Sequence, residues 1–449
     1  MTALEQLGTY IAASSAPATA SKRDLLDLHV IDTIGAWIAS TQTPEGRMLL
    51  RYRENMRAEQ GAADSVPLDL AIRCALARLS EIDDIHLSSM TTPGAIVIPA
   101  ALTLAAKVHG SIADDLIAAI LAGYEAMTRL GRAVDGPAVL YRGIWPTYLA
   151  APFAVAAVAA RLHKLDAGAT ASALALALTL AAPGVGHHNA ATGGRWFALG
   201  NAACNGLTAA CAAEQGFTAD VALVEGRFFP DVYGITPDAA VLTDGLGERD
   251  ALSEVSFKPW CGARQTTAAT QALKEIIETG ISADAIDAIK VDVLPPHHKM
   301  IDHGVTAGDR ASHLTSVQYA LAVAVLAPER AFALSPPNIT PALRDFMGKI
   351  AVTPDESLLA DYPRRWSARV TVTAGSTCHG RLVSDVPGDP ARPFDRTRVE
   401  EKFLRFAVPV VGRNKAEEIP AVCSAALENG QFAPLVNKIE QATTRIERT

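Results

Sequence analysis

The chain has little of several things. Cysteine occurs six times in 449 residues, at Cys74, Cys204, Cys211, Cys261, Cys378 and Cys423. None stands in a CxxC pair or at zinc-ligand spacing, so neither a disulfide framework nor a zinc ribbon is expected, and the thiols read as reduced. There is no GxGxxG before a helix, no GxxxxGK[ST], no HExxH and no GxSxG, so dinucleotide, P-loop, zincin and serine-hydrolase readings lack their signatures. Basic residues do not cluster and the net charge is −8, which argues against nucleic-acid binding. The apolar runs near 113–130, 148–162 and 170–183 are interrupted or bounded by Gly, Pro or charged residues, so none is a clean membrane span. The first residues carry no basic start and no signal-peptide core, and a cytoplasmic chain is expected. Aromatics are sparse, at 6%.

What is present is alanine and helical periodicity. Half the chain is hydrophobic and a fifth is charged, as in a soluble globular enzyme, and 449 residues exceed one ordinary core. Residues 1–60 read as amphipathic helices, with Ser21 as an N-cap for 22–39 and with Leu26, His29, Val30, Thr33 and Trp37 on one face. Helical patterns continue over 68–80, 97–109, 112–131, 148–163, 167–181 and 199–215. After Trp260 the pattern changes. A helix over 266–279 precedes period-two alternation at 286–293, a helix at 312–327, and a hairpin from 369–373 and 380–384. Strands are expected only within about 285–390. Residues 387–393 read as a proline-rich linker, and helices return from Arg398. The fold class is mainly α: a large all-helical domain (1–266 and 391–449) made from both chain ends, with an inserted smaller α+β domain (267–390).

Four stretches carry chemistry. Asp83-Asp84-Ile85-His86 follows an alanine-rich helix and precedes the turn Thr92-Pro93-Gly94. A loop of this kind can present carboxylates and backbone N–H groups to a small ligand, or can serve in capping. Phe257-Lys258-Pro259-Trp260-Cys261-Gly262-Ala263-Arg264, Gly193-Gly194-Arg195 and Tyr141-Arg142-Gly143-Ile144-Trp145-Pro146-Thr147-Tyr148 each set a cation near a helix start, where anions are favoured. Together they suggest a pocket for a small polycarboxylate without specifying a reaction. His187-His188-Asn189 and His297-His298-Lys299 read as polar loops rather than metal sites, because no second cluster stands at ligand spacing.

At these residues the sequence resembles the MmgE/PrpD family, whose activities include 2-methylcitrate dehydration, cis-aconitate decarboxylation and iminodisuccinate epimerisation. The landmarks keep their order along nearly the whole chain: Asp83-Asp84-Ile85-His86, Thr92-Pro93-Gly94, Gly123-Tyr124-Glu125, Trp145-Pro146-Thr147, Arg195 before Gly200-Asn201, Glu225-Gly226 and Lys258-Pro259-Trp260. The resemblance implies an active site between a helical and an inserted α+β domain, in a homodimer that needs neither cofactor nor metal. It also sets departures: Thr92 and Trp145 stand where the family often has His, and Arg195 where it often has Lys.

The expected chemistry is proton abstraction next to a carboxylate on a small di- or tricarboxylate. The expected base is Asp83 or Asp84, and the proton donor His86 or Lys258. Arg195, Arg264 and Lys258 would clamp carboxylates, Tyr141 and Tyr148 would be further donors, and Thr92 and Trp145 would touch substrate. A dehydratase-like lyase is favoured. The alternatives are an epimerase of an iminodisuccinate-like dicarboxylate and a non-catalytic polycarboxylate-binding member of the family.

Overall fold

The computed structural model describes residues 1–14, 19–60, 65–107, 113–184, 192–306, 309–335 and 339–444. His187-His188-Asn189 lies outside the described residues. Among those described, chain packing separates a unit of 1–184, 192–255 and 395–444 from a unit of 256–394. Helices built from both chain ends make the first, and the sheet lies in the second. The fold is therefore mainly α with a smaller α+β part.

In the helical unit, alanine and glycine set the packing distance. Helix Gly194–Glu214 lies against Pro146–Leu162 and Val66–Leu79. A Cβ at Gly206 would sit 2.2 Å from the Pro152 carbonyl oxygen, and one at Gly200 would sit 2.4 Å from that of Ala71. These approaches admit no side chain, and they explain why a chain poor in aromatics still closes its core. Helix Ala20–Ser40 begins earlier than expected, because Thr19 rather than Ser21 caps it: its Oγ1 accepts the Lys22 amide at 3.3 Å. No helix among the described residues is long and apolar enough to cross a membrane.

The α+β unit holds a four-stranded sheet in the order Ile350–Pro354, Ala288–Val293, Ala368–Ala374, Thr377–Val383. Ala288–Val293 pairs parallel with Ile350–Pro354 and antiparallel with Ala368–Ala374. Ile289, Val291, Val293, Val370 and Val372 are buried with Ala269, Leu273 and Leu321 from the covering helices.

Several expectations are corrected. Ile85–His86 and Val255–Ser256 are two-residue strands outside 285–390. The expected helix at 312–327 is two, Arg310–Thr315 and Val317–Leu326, divided at Ser316, whose Oγ caps the second by accepting the Tyr319 amide at 3.2 Å. His297-His298-Lys299 is not a loop but part of helix Pro295–Ile301. The His297 ring packs edge-on to Trp366 at 4.7 Å, and burial, then the nearby Arg264 charge, lowers its pKa to about 3. Residues 387–393 run through turns in which Gly388 and Asp389 are buried and 390–393 are exposed. Asp389 is buried, accepting from Arg264 Nη2 and from the Val386 amide at 2.7 Å each.

Candidate active site

The loop after Val66–Leu79 is fixed by burial of its charges. Asp84 is fully buried, and three groups donate to its carboxylate: the Gly94 amide to Oδ1 at 2.8 Å, and the Tyr124 hydroxyl at 2.8 Å and His29 Nδ1 at 3.0 Å to Oδ2. Gly94 is required for this approach, since a Cβ there would lie 2.5 Å from Asp84 Oδ2. Burial and then the Asp84 charge push the Tyr124 pKa well above its ordinary value, so the phenol keeps its proton and donates. Asp32, one turn beyond His29, accepts from Lys402 Nζ at 2.6 Å. The same ammonium donates to the Ile82 carbonyl at 2.7 Å, so helix Arg396–Val411 holds the loop from the far end of the chain. Burial raises the Asp32 pKa, and Lys402 opposes the rise.

Asp83 is also fully buried and lies 3.3 Å from Arg78 Nη1, which also bonds Glu81 at 2.9 Å. His86 is committed on both nitrogens. Its Nδ1 accepts the Ser89 amide at 3.3 Å, so a neutral ring carries its proton on Nε2, which faces Glu254 Oε2 at 3.1 Å. That hydrogen bond holds the Glu254 carboxyl below its usual range.

Two turns meet this loop. The Thr92 amide donates to Thr147 Oγ1 at 3.2 Å, joining the Thr-Pro-Gly turn to the start of helix Pro146–Leu162. Pro146 opens that helix after the extended Trp145, as proline does in a first turn. Trp145 packs edge-on to Tyr148 at 5.6 Å. Tyr148, buried, donates to the Arg195 carbonyl at 2.8 Å, and burial raises its pKa. The Arg195 guanidinium lies 5.5 Å from the Trp145 ring centre and 5.9 Å from that of Trp196, whose ring also receives Arg78 at 5.6 Å. Trp145 Nε1 is buried and has no hydrogen-bond partner among the described residues.

Asp83, Asp84, His86, Thr92, Trp145, Tyr148 and Arg195 thus belong to one connected set in the helical unit. Tyr141, half-buried, lies in the turn Leu140–Arg142 of the same unit. Lys258 and Arg264 belong to the α+β unit, where both are buried. Arg264 Nη2 is engaged with Asp389, so this guanidinium holds the 386–389 turn in place. Sequence reasoning missed Tyr124, Asp32, Arg78, Lys402 and Glu254 as members of the set. His29 was visible as a histidine on the buried face of an apolar helix, and Thr147 as the last residue of the Trp-Pro-Thr turn.

The N-terminal MmgE/PrpD domain model matches residues 5–233, and the C-terminal one matches 260–426. No curated protein sequence matches the chain. Members of this family are mostly enzymes of dehydratase-like kinds. Because the two models together span most of its length, the chain belongs to the MmgE/PrpD family.

Proposed function

We propose that this protein removes a proton from the carbon next to a carboxylate of a small di- or tricarboxylate, and that elimination follows, a dehydratase-like lyase reaction. The observation that carries the reading is Arg195, whose guanidinium lies by the Trp145 and Trp196 rings and shares the Trp196 ring with Arg78, the partner of Asp83. An arginine fixed in this way offers a forked pair of donors to a carboxylate, and a carboxylate close by can take a proton. In this reading Asp83 is the base and Asp84 a positioning residue. Both Asp84 oxygens already accept from three donors, so protonating this carboxylate would cost it those bonds. The proposed donor to the leaving hydroxyl is His86 as an imidazolium, giving up the Nε2 proton that faces Glu254.

One observation favours the epimerase as the second reading. Trp145 sits beside Arg195 and offers no titratable group from that side. An epimerase needs only two proton-transfer groups, whereas a lyase must also protonate a leaving hydroxyl.

The clamp role is testable by kinetics on a panel of 2- and 3-hydroxy di- and tricarboxylates. Arg195→Lys keeps the charge and loses the fork, so KM should rise about tenfold with kcat within about twofold. A fall in kcat at unchanged KM would remove Arg195 from the carboxylate clamp.

A further inference from the structure

Two helices of the helical unit run side by side in the same direction. Near their starts, the Tyr148 hydroxyl of helix Pro146–Leu162 donates to the Arg195 carbonyl of helix Gly194–Glu214. At their other ends, His163, which caps the first, meets Glu214, the last residue of the second. His163 Nδ1 stands 3.0 Å from Glu214 Oε2. Cys211 lies one turn before Glu214, so the two side chains share a helix face. A ring nitrogen of His163, the Cys211 sulfur and a Glu214 carboxylate oxygen all lie within 4.8 Å of one another. His163 and Glu214 are 51 residues apart, so no ligand-spacing motif marks the cluster in the sequence. The helical rise puts it about 25 Å from Tyr148 and Arg195, and the reaction proposed above uses none of its groups.

The surroundings favour a positive charge. Both helices end here, and each C-terminus carries a partial negative charge from its last carbonyls. Glu214 adds a full one. The basic neighbours of His163 are engaged elsewhere: Arg161 donates to the Ser14 carbonyl at 2.7 Å and faces Asp115 at 3.6 Å, and Lys164 faces Asp115 at 3.7 Å. Burial, then the Glu214 charge, raises the Cys211 pKa, so the thiol keeps its proton until a cation displaces it.

The donor set selects the ion. Magnesium and calcium take oxygen ligands, whereas a thiolate, an imidazole and one carboxylate suit zinc. Zinc holds such ligands at about 2.0–2.3 Å, which sets them about 3.3–3.8 Å apart in a tetrahedron. Side-chain rotation closes the present spacing to that, and Cys211 and Glu214 are both exposed. We infer that His163, Cys211 and Glu214 bind one Zn²⁺ ion, with water in the fourth position, joining the ends of the two helices. On binding, the Cys211 thiol gives its proton to solvent. The site is built within the helical unit and does not depend on the reaction proposed above.

Cobalt reads such a site, because thiolate bound to Co²⁺ gives a charge-transfer band in the near ultraviolet. The reduced, tag-free full chain titrated with Co²⁺ should develop this band, saturating at one ion per chain, and Zn²⁺ should abolish it. The zinc Kd, measured by competition with a chromophoric chelator, should be on the order of 1 μM or tighter. Cys211→Ser should remove the band, and Cys211→Ser and His163→Gln should each weaken zinc about a hundredfold or more. Cys204→Ser, two turns earlier on the same helix, should change neither reading and so separates Cys211 from the other thiols. No charge-transfer band in the wild type, a band that survives Cys211→Ser or is lost in Cys204→Ser, or zinc affinity unmoved by both ligand substitutions would overturn the assignment.

Discussion

Asp84→Ala is expected to cost about 3–5 kcal/mol of stability, among the largest losses for a single side chain here. The substitution removes the one group that satisfies the Gly94 amide, the Tyr124 hydroxyl and His29 Nδ1 at once, in a fully buried position. Each donor left without a partner carries a desolvation penalty of about 1–3 kcal/mol, and water entering the space can recover part of it. Asp84→Asn should cost less. Its retained oxygen can still accept the Gly94 amide, although its NH₂ then faces two donors. Asp83→Asn keeps the shape beside Arg78 and should act mainly on turnover. Urea unfolding of the three variants checks the order. A loss below about 1 kcal/mol for Asp84→Ala would show that the loop is held by other contacts.

Lys402→Met should be comparably severe, and its cost should depend on pH. Lys402 is the buried partner of Asp32, and deleting one member of a buried pair typically costs about 3–5 kcal/mol. Burial already raises the Asp32 pKa with Lys402 opposing, so without the ammonium the folded-state pKa rises further. A carboxyl whose folded pKa lies above its unfolded one destabilises the fold once the unfolded form ionises, and not below that point. The deficit relative to wild type from this carboxyl should therefore be small below the wild-type folded pKa, which already lies above the ordinary carboxylate range. It should grow as pH rises from there toward the higher folded pKa of the variant and level off above it. Pairing the change with Asp32→Asn should recover much of the neutral-pH loss, because no buried charge is then stranded. Urea midpoints measured across pH for the single and double variants check both statements. A deficit independent of pH would mean that packing of the lysine stem, not charge, sets the cost.

What could be read from the sequence was local. The helix between Val66 and Leu79 and the alternation at 288–293 show in periods of 3.6 and 2 within a short window. Ile350–Pro354 was missed because it is short, ends in proline and joins the sheet through a parallel pairing with residues about sixty positions earlier. Thr19 was missed as a cap because Ser21, equally suited by chemistry, lies two residues on. The site followed the same division. Asp83, Asp84, Trp145 and Arg195 stood out as polar or bulky residues at helix boundaries marked by proline and glycine. Their partners did not. Tyr124 is 40 residues from Asp84, His29 is 55, and Lys402 lies 320 residues beyond Ile82. No spacing rule reaches that far. What the charges did signal is that buried Asp and Lys must be paired, which asks for a partner without naming it.

Proton abstraction from a carbon acid within a hydroxy polycarboxylate is tested by incubating the full chain with the substrate panel in D₂O and reading recovered substrate and product by NMR and mass spectrometry. Loss of the C–H bond next to a carboxylate, with formation of an unsaturated product and release of water, is the expected result. Deuterium gained by recovered substrate without any unsaturated product would replace the lyase with the epimerase. Substrates recovered with every C–H bond intact and no product from any member of the panel would rule out proton abstraction by this protein.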